Sequence, residues 1–199
     1  MSKRITSANN KEIKYLNKLL IKSSFRNKER KFAVEGKREI IMALENGFKI
    51  LKLYYNPNII DYNKFSIDVD CDIIELSDSV YSKISYRKST EGLIAVYSMR
   101  DYSLKLDNTD NNLVLVLDGI EKPGNLGAIL RTCDATNVSV IILTNHKCDI
   151  FNPNVIRSSL GAVFSNLIIT MGSDDAYAFF KKNNYSIFST SSKAKKIYD

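Results

Sequence analysis

The sequence predicts an α/β fold built as two successive units, and three observations carry that prediction. Residues 113–164 read as an apolar strand, a Pro/Gly turn, a helix with one arginine, a second strand and a second small-residue turn, the order of a compact βαβ unit. Residues 1–100 alternate short apolar strands with amphipathic helices, as in a small α/β/α sandwich. The net charge of +7 is also lopsided: residues 1–100 hold 19 Lys/Arg against 12 Asp/Glu, and residues 101–199 hold 10 of each.

In the first unit, Ser7 or Asn9 is placed to cap a helix carrying Ile13, Leu16, Leu19 and Leu20 at helical spacing, which fades through the polar run Lys22 to Lys31. Phe32 and Val34 alternate as a short strand. Gly36 leads into a helix with Ile40, Ile41 and Leu44 on one side, closed by Asn46-Gly47. Ile50 to Tyr55 and Ile73 to Leu76 are strands, Ser77 caps a short helix with Val80, Tyr81 and Ile84, and Leu93 to Tyr97 is a last apolar strand. Met99 to Asn112 is polar and without periodicity, which sets the domain limits at 1–100, a linker at 101–112, and 113–199.

In the second unit, the continuous apolar run Leu113 to Leu117 fits a strand buried on both faces of a parallel sheet. Pro123-Gly124-Asn125 marks a turn, with Asn125 as the cap of a helix to Ala135 whose buried stripe is Leu126, Ile129, Leu130 and Cys133. Helical side chains lean toward the N-terminus, so Arg131 points back over Gly127 toward that turn. Ligands in open α/β sheets bind at the carboxyl ends of strands; Arg131 would place a cation with five donors there. Ser139 to Leu143 gives a second strand. Pro153 starts a helix with Arg157 and Ser158, and Gly161-Ala162 follows where backbone could approach a ligand closely. Asn166 to Thr170 is a third strand, Ser173 caps a helix with Ala176, Phe179 and Phe180, and Ser186 to Thr190 is a fourth strand.

Several chemistries are excluded or demoted. No window approaches the roughly 18 apolar residues of a membrane span, and MSKRITSANN has no signal-peptide apolar stretch, so a cytoplasmic location is expected. Cys71, Cys133 and Cys148 form no CxxC pair, and His146 is the single histidine; neither a metal site nor a Ser-His-Asp triad is expected. The loop after the first strand is not a Walker A, since no Lys-Ser/Thr follows Gly127, and Gly119, Gly124 and Gly127 do not fit GxGxxG, which sets aside a nucleotide-dependent oxidoreductase. Met1 to Arg38 carries 12 basic against 3 acidic side chains. The stripe Lys22, Arg26, Lys28, Arg30 and Lys31, followed by Lys37 and Arg38, is suited to track a polyanion and release its counterions.

Two motifs carry a resemblance. DGIEKPGNLGAILRTCDA (Asp118 to Ala135) and NPNVIRSSLGAVF (Asn152 to Phe164) resemble the two ordered signatures of the SpoU/TrmH family of RNA ribose 2'-O-methyltransferases, in the SPOUT superfamily. FAVEGKREIIMAL (Phe32 to Leu44) and EGLIAV (Glu91 to Val96) resemble pieces of the L30e-like RNA-binding domain that precedes the catalytic domain in many relatives. The resemblance implies an N-terminal L30e-like sandwich followed by a Rossmann-like α/β-knot domain. It also implies methyl transfer from S-adenosylmethionine to a ribose 2'-hydroxyl of rRNA or tRNA, and a homodimer for the full-length form.

Carried over residue by residue, Arg131 matches the catalytic arginine and Asn125 the asparagine that orients it or the ribose. Arg157 matches a phosphate-contacting arginine, with Asn154 where many relatives have lysine. Thr190 matches a position lining the cofactor pocket. A guanidinium stays protonated in proteins, so gripping a phosphate and stabilising negative charge on the oxygen is an easier role for Arg131 than acting as base. The family's third motif, which makes the knot, has no counterpart before Asp199; the reading is therefore a domain truncated before the knot. A truncated, non-catalytic RNA-binding protein is the alternative.

Overall fold

The computed structural model of the 199-residue chain describes residues 3–62, 69–85, 91–101 and 113–190. The order of elements is β1 (Lys3–Ile5), α1 (Lys11–Ile21), α2 (Ser23–Glu29), β2 (Lys31–Glu35), α3 (Lys37–Glu45), β3 (Ile50–Tyr55), β4 (Asp72–Leu76), α4 (Asp78–Ile84) and β5 (Leu93–Ser98). Then follow β6 (Val114–Asp118), α5 (Pro123–Ala135), β7 (Val140–Thr144), α6 (Pro153–Ser158), α7 (Ala162–Ser165), β8 (Ile168–Thr170) and α8 (Ser173–Lys182). Most of the linker region lies outside the described residues.

The first five strands form a mixed sheet in the order β1-β4-β3-β5-β2, with β5 antiparallel to both β2 and β3. The alternation of strand residues sorts its two faces, as a pleated strand requires. Ala33, Tyr54, Ile74, Ile94 and Val96 face α1 and α4, whose Ile13, Leu16, Val80 and Tyr81 are buried against them. Phe32, Val34, Leu53, Ala95 and Tyr97 point to the other side, where Ile40 and Ala43 of α3 pack. The second sheet is wholly parallel, β6-β7-β8. Central β7 is buried throughout; Ile141 and Leu143 face α5 to α7, and Val140 and Ile142 face α8 with Ala176 and Phe180.

The two sheets share one core. Phe32 of β2 stacks on Phe151 with ring centroids 4.1 Å apart, and Phe48 meets Phe164 edge-on at 5.2 Å. Beside them, Arg26 is buried and donates through Nε to Asp149 Oδ2 at 2.7 Å and through Nη1 to Leu19 O at 2.7 Å. Breaking such a pair from one side leaves a stranded charge, at a cost of about 3–5 kcal/mol.

Several expectations are corrected. The polar run after α1 is a second helix, α2, because Arg26 spends its charge inside the core and Phe25 packs on Tyr15 at 5.2 Å; Arg26 therefore leaves the basic stripe. The cap of α1 is Asn10, whose side chain accepts from the Glu12 N–H, and Lys3–Ile5 adds β1 alongside β4. β6 is an edge strand, not one buried on both faces: Val116 is 41% exposed. Ser186 to Thr190 forms no strand, and Phe188 there is 92% exposed.

Candidate active site

The carboxyl ends of β6 and β7 are tied together by polar contacts that follow from their sequences. Gly119, at φ +67°, turns the chain out of β6, and its N–H donates to Thr144 O at 2.9 Å; a glycine takes this left-handed conformation without penalty. Asp118 accepts from Thr144 Oγ1 and Asn145 Nδ2, both at 2.8 Å. Those hydrogen bonds hold its carboxyl below the usual carboxylate range. The Lys147 N–H donates to Ile120 O at 3.1 Å, and its ammonium pairs with Glu121.

Helix α5 begins earlier than the sequence reading placed it. Pro123 occupies the first helical position after Lys122, where its fixed φ and missing N–H are harmless. Gly124 and Asn125 are consequently inside the helix, and Asn125 is an exposed first-turn residue rather than its cap. Leu126, Leu130 and Cys133 are buried as expected. At Gly127 a Cβ would sit 1.9 Å from Ser158 Oγ and 2.7 Å from Ser159 N, so its missing side chain admits α6.

Helix α6 is capped by Asn152, whose side chain accepts from the Asn154 N–H at 2.8 Å. Its Ser158 Oγ donates to Pro123 O at 3.2 Å. Further along, Asn166 Nδ2 donates to Leu130 O at 3.2 Å and Ser165 Oγ to Asp134 Oδ1 at 2.5 Å. The two signature segments are thus fastened along the length of α5. Gly161, expected to face a ligand, instead meets α3: a Cβ would lie 2.9 Å from Met42 Cβ, with Glu39 Cα at 3.8 Å.

The expected site residues fall into three groups. Arg131 and Asn125 stand exposed on α5, and Arg157 stands part-buried on the adjoining α6. Among the described residues, Arg131 has no hydrogen-bond or ion-pair partner. Lys37 and Arg38 open α3, the helix that abuts Gly161, and Arg38 pairs with Glu39 at 2.6 Å. Lys28 and Arg30 lie at the end of α2, and Arg30 lines a cleft of about 470 Å³ between the two units. Thr190 is exposed beyond α8 and joins none of these groups. Sequence reasoning missed Arg100 and Lys147 as companions of Arg30 around the cleft; each belongs to a different loop, and only the tertiary fold brings them together.

Among the described residues no three His, Cys, Asp or Glu side chains come together as a metal site, and no helix is long and apolar enough to cross a membrane.

A parallel βαβ unit packed on a second α/β unit matches the fold of solved RNA methyltransferases. The chain superposes on a crystallised RNA 2'-O ribose methyltransferase with a TM-score of 0.77 and 33% identity, over 91% of this chain and 70% of that one. An AdoMet-bound rRNA methyltransferase from Sinorhizobium meliloti matches with a TM-score of 0.77 and 28% identity, over 92% and 68%. Residues 112–199 match the SpoU rRNA Methylase family and residues 10–95 the MRM3-like substrate binding domain. The chain belongs to the SpoU/TrmH family of RNA 2'-O-methyltransferases. It is 27% identical over 162 residues to the 23S rRNA (guanosine(2553)-2'-O)-methyltransferase RlmP of Bacillus subtilis (strain 168), covering 81% of this chain. It is 30% identical over 155 residues to rRNA methyltransferase 3, mitochondrial, of Xenopus laevis, covering 73% of this chain. The chain spans 62% and 36% of the lengths of these two relatives.

Proposed function

We propose that the protein transfers a methyl group from S-adenosylmethionine to a ribose 2'-hydroxyl of ribosomal or transfer RNA, with residues 1–100 as the RNA substrate-binding domain and residues 113–199 as the methyltransferase domain. The observation that carries this reading is Arg131: exposed on a helix clamped by the second signature, with no counter-charge among the described residues. An arginine left without a carboxylate keeps its donors for an oxyanion or phosphate.

S-adenosylmethionine supplies an electrophilic methyl group, so neither a metal nor a covalent intermediate is required. Thr190, exposed beyond α8, matches the family's cofactor-lining position and would offer a hydroxyl to that cofactor. Arg131 grips the phosphate beside the target ribose and stabilises negative charge on the 2'-oxygen as its proton passes to water. Asn125, six residues earlier on the same helix, orients the ribose. Arg157 on α6 and Lys37 and Arg38 on α3 hold flanking phosphates. The packing of Gly161 on α3 supports a basic surface continuous from the first unit to the second. A homodimer of the full-length form and a cytoplasmic location complete the reading.

Incubating the chain with RNA and tritiated methyl donor tests the proposal. Label in RNA, lost in Arg131→Ala without a change in melting temperature, is the expected result; equal incorporation by that variant would overturn the role of Arg131. RNA binding without any incorporation would favour a non-catalytic RNA-binding protein.

A further inference from the structure

We propose that the cleft between the two units holds one unstacked nucleotide of single-stranded RNA, its phosphate between Arg30 and Lys147 and its ribose and base over an apolar floor. This rests on the RNA-directed function above and adds a contact point that Arg131 does not line.

The cleft has a volume of about 470 Å³, within the range of sites that enclose a small organic group. Three cations reach it from three separate segments: Arg30 closing α2, Arg100 after β5, and Lys147 after β7. Met99, Ile150 and Ile168 supply apolar lining. The cations are held in place before any ligand arrives. Arg30 ends α2 at φ +52°, and its carbonyl accepts from the Met99 N–H at 2.8 Å. Arg100 lies over the Phe48 ring, 4.4 Å from its centroid, and donates to Asn46 O at 2.8 Å. Lys147 is anchored through its backbone to Ile120 in the first signature.

The carboxylates facing these cations are replaceable. Arg30 pairs with Asp101, whose side chain is 94% exposed, and Lys147 pairs with Glu121, itself 58% exposed. Such solvated pairs contribute little, so a phosphate exchanges for either at small cost. Asp149 also lines the cleft, but Arg26 occupies it. The shape selects single strands: bases must be splayed out to enter a cavity of this size, which stacked A-form duplex does not allow.

Anisotropy titrations of a fluorescent ten-nucleotide oligouridine with the full chain, over a salt series, test the cleft. Both targeted side chains are more than half exposed (54% for Arg30, 73% for Lys147), so Arg30→Gln/Lys147→Gln folds. Its slope of log K against log salt should fall by about 0.7, the one phosphate that the two cations share. Asp101→Asn, which frees Arg30, should bind more tightly than the unsubstituted chain. An unchanged slope in the double variant, or no gain from Asp101→Asn, overturns the cleft. If Lys37→Gln/Arg38→Gln alone lowers the slope, the RNA reading stands without it; absence of binding by the unsubstituted chain at every salt concentration overturns both.

Discussion

Gly127 and Ser158 touch so closely that one added methyl group on Gly127 would overlap the Ser158 hydroxyl, at 1.9 Å. Gly127→Ala should therefore destabilise the fold by about 1–3 kcal/mol, the range for overpacking. Adding Ser158→Ala should restore only part of that loss, because Ser159 N still lies 2.7 Å from the new carbon. Urea titrations of the single and double variants measure both numbers, and full rescue would show that the backbone yields.

Arg26 and Asp149 pair across the two units. Arg26→Ala should cost about 3–5 kcal/mol by stranding the carboxylate, whereas Arg26→Met, which refills the space, combined with Asp149→Asn should cost markedly less. A double-mutant cycle by thermal unfolding measures the coupling.

The phenylalanine cluster predicts cooperative unfolding. Phe32, Phe48, Phe151 and Phe164 belong to one buried core, so calorimetry should record a single transition for both units. Phe151→Ala should lower it as one peak, by about 3–5 kcal/mol; two separated peaks in the unsubstituted chain would show that the units melt independently.

Glu12 gives a pH dependence with a definite sign. Burial raises its pKa, but hydrogen bonds from Lys3, Lys52 and Tyr54 outweigh that and bring it from 4.5 down to about 2. A carboxylate depressed in the folded state stabilises above its unfolded pKa and loses that contribution as pH falls through the folded value. Stability should decline between about pH 4.5 and pH 2 by up to roughly 3 kcal/mol from this residue. In Glu12→Gln the decline should be shallower, as followed by acid titration of circular dichroism.

Much of this architecture was legible in the sequence, and the failures have physical causes. Ile50 to Tyr55 was delimited to the residue, because an apolar run ending at Asn56-Pro57 leaves little choice. The two signatures identified the helices bearing Arg131 and Arg157, and the family. Periodicity records how apolar a strand is, not how many neighbours it has, so Leu113 to Leu117 reads as buried on both faces although, among the described residues, β6 lies at an edge. A polar segment hides a helix when its anchor is a buried arginine, as at Arg26. Gly161 reads as room for a ligand, yet it makes room for α3, and glycine alone does not distinguish the two.

The stack of Phe32 on Phe151 also sets a length. Because side-chain packing joins the two sheets, the span from Arg38 on α3 to Arg131 on α5 behaves like the fixed jaws of a caliper. Under the proposed function, an RNA gripped at both ends would be measured as well as bound, and one nucleotide more or fewer between the grips would move a different ribose to Arg131.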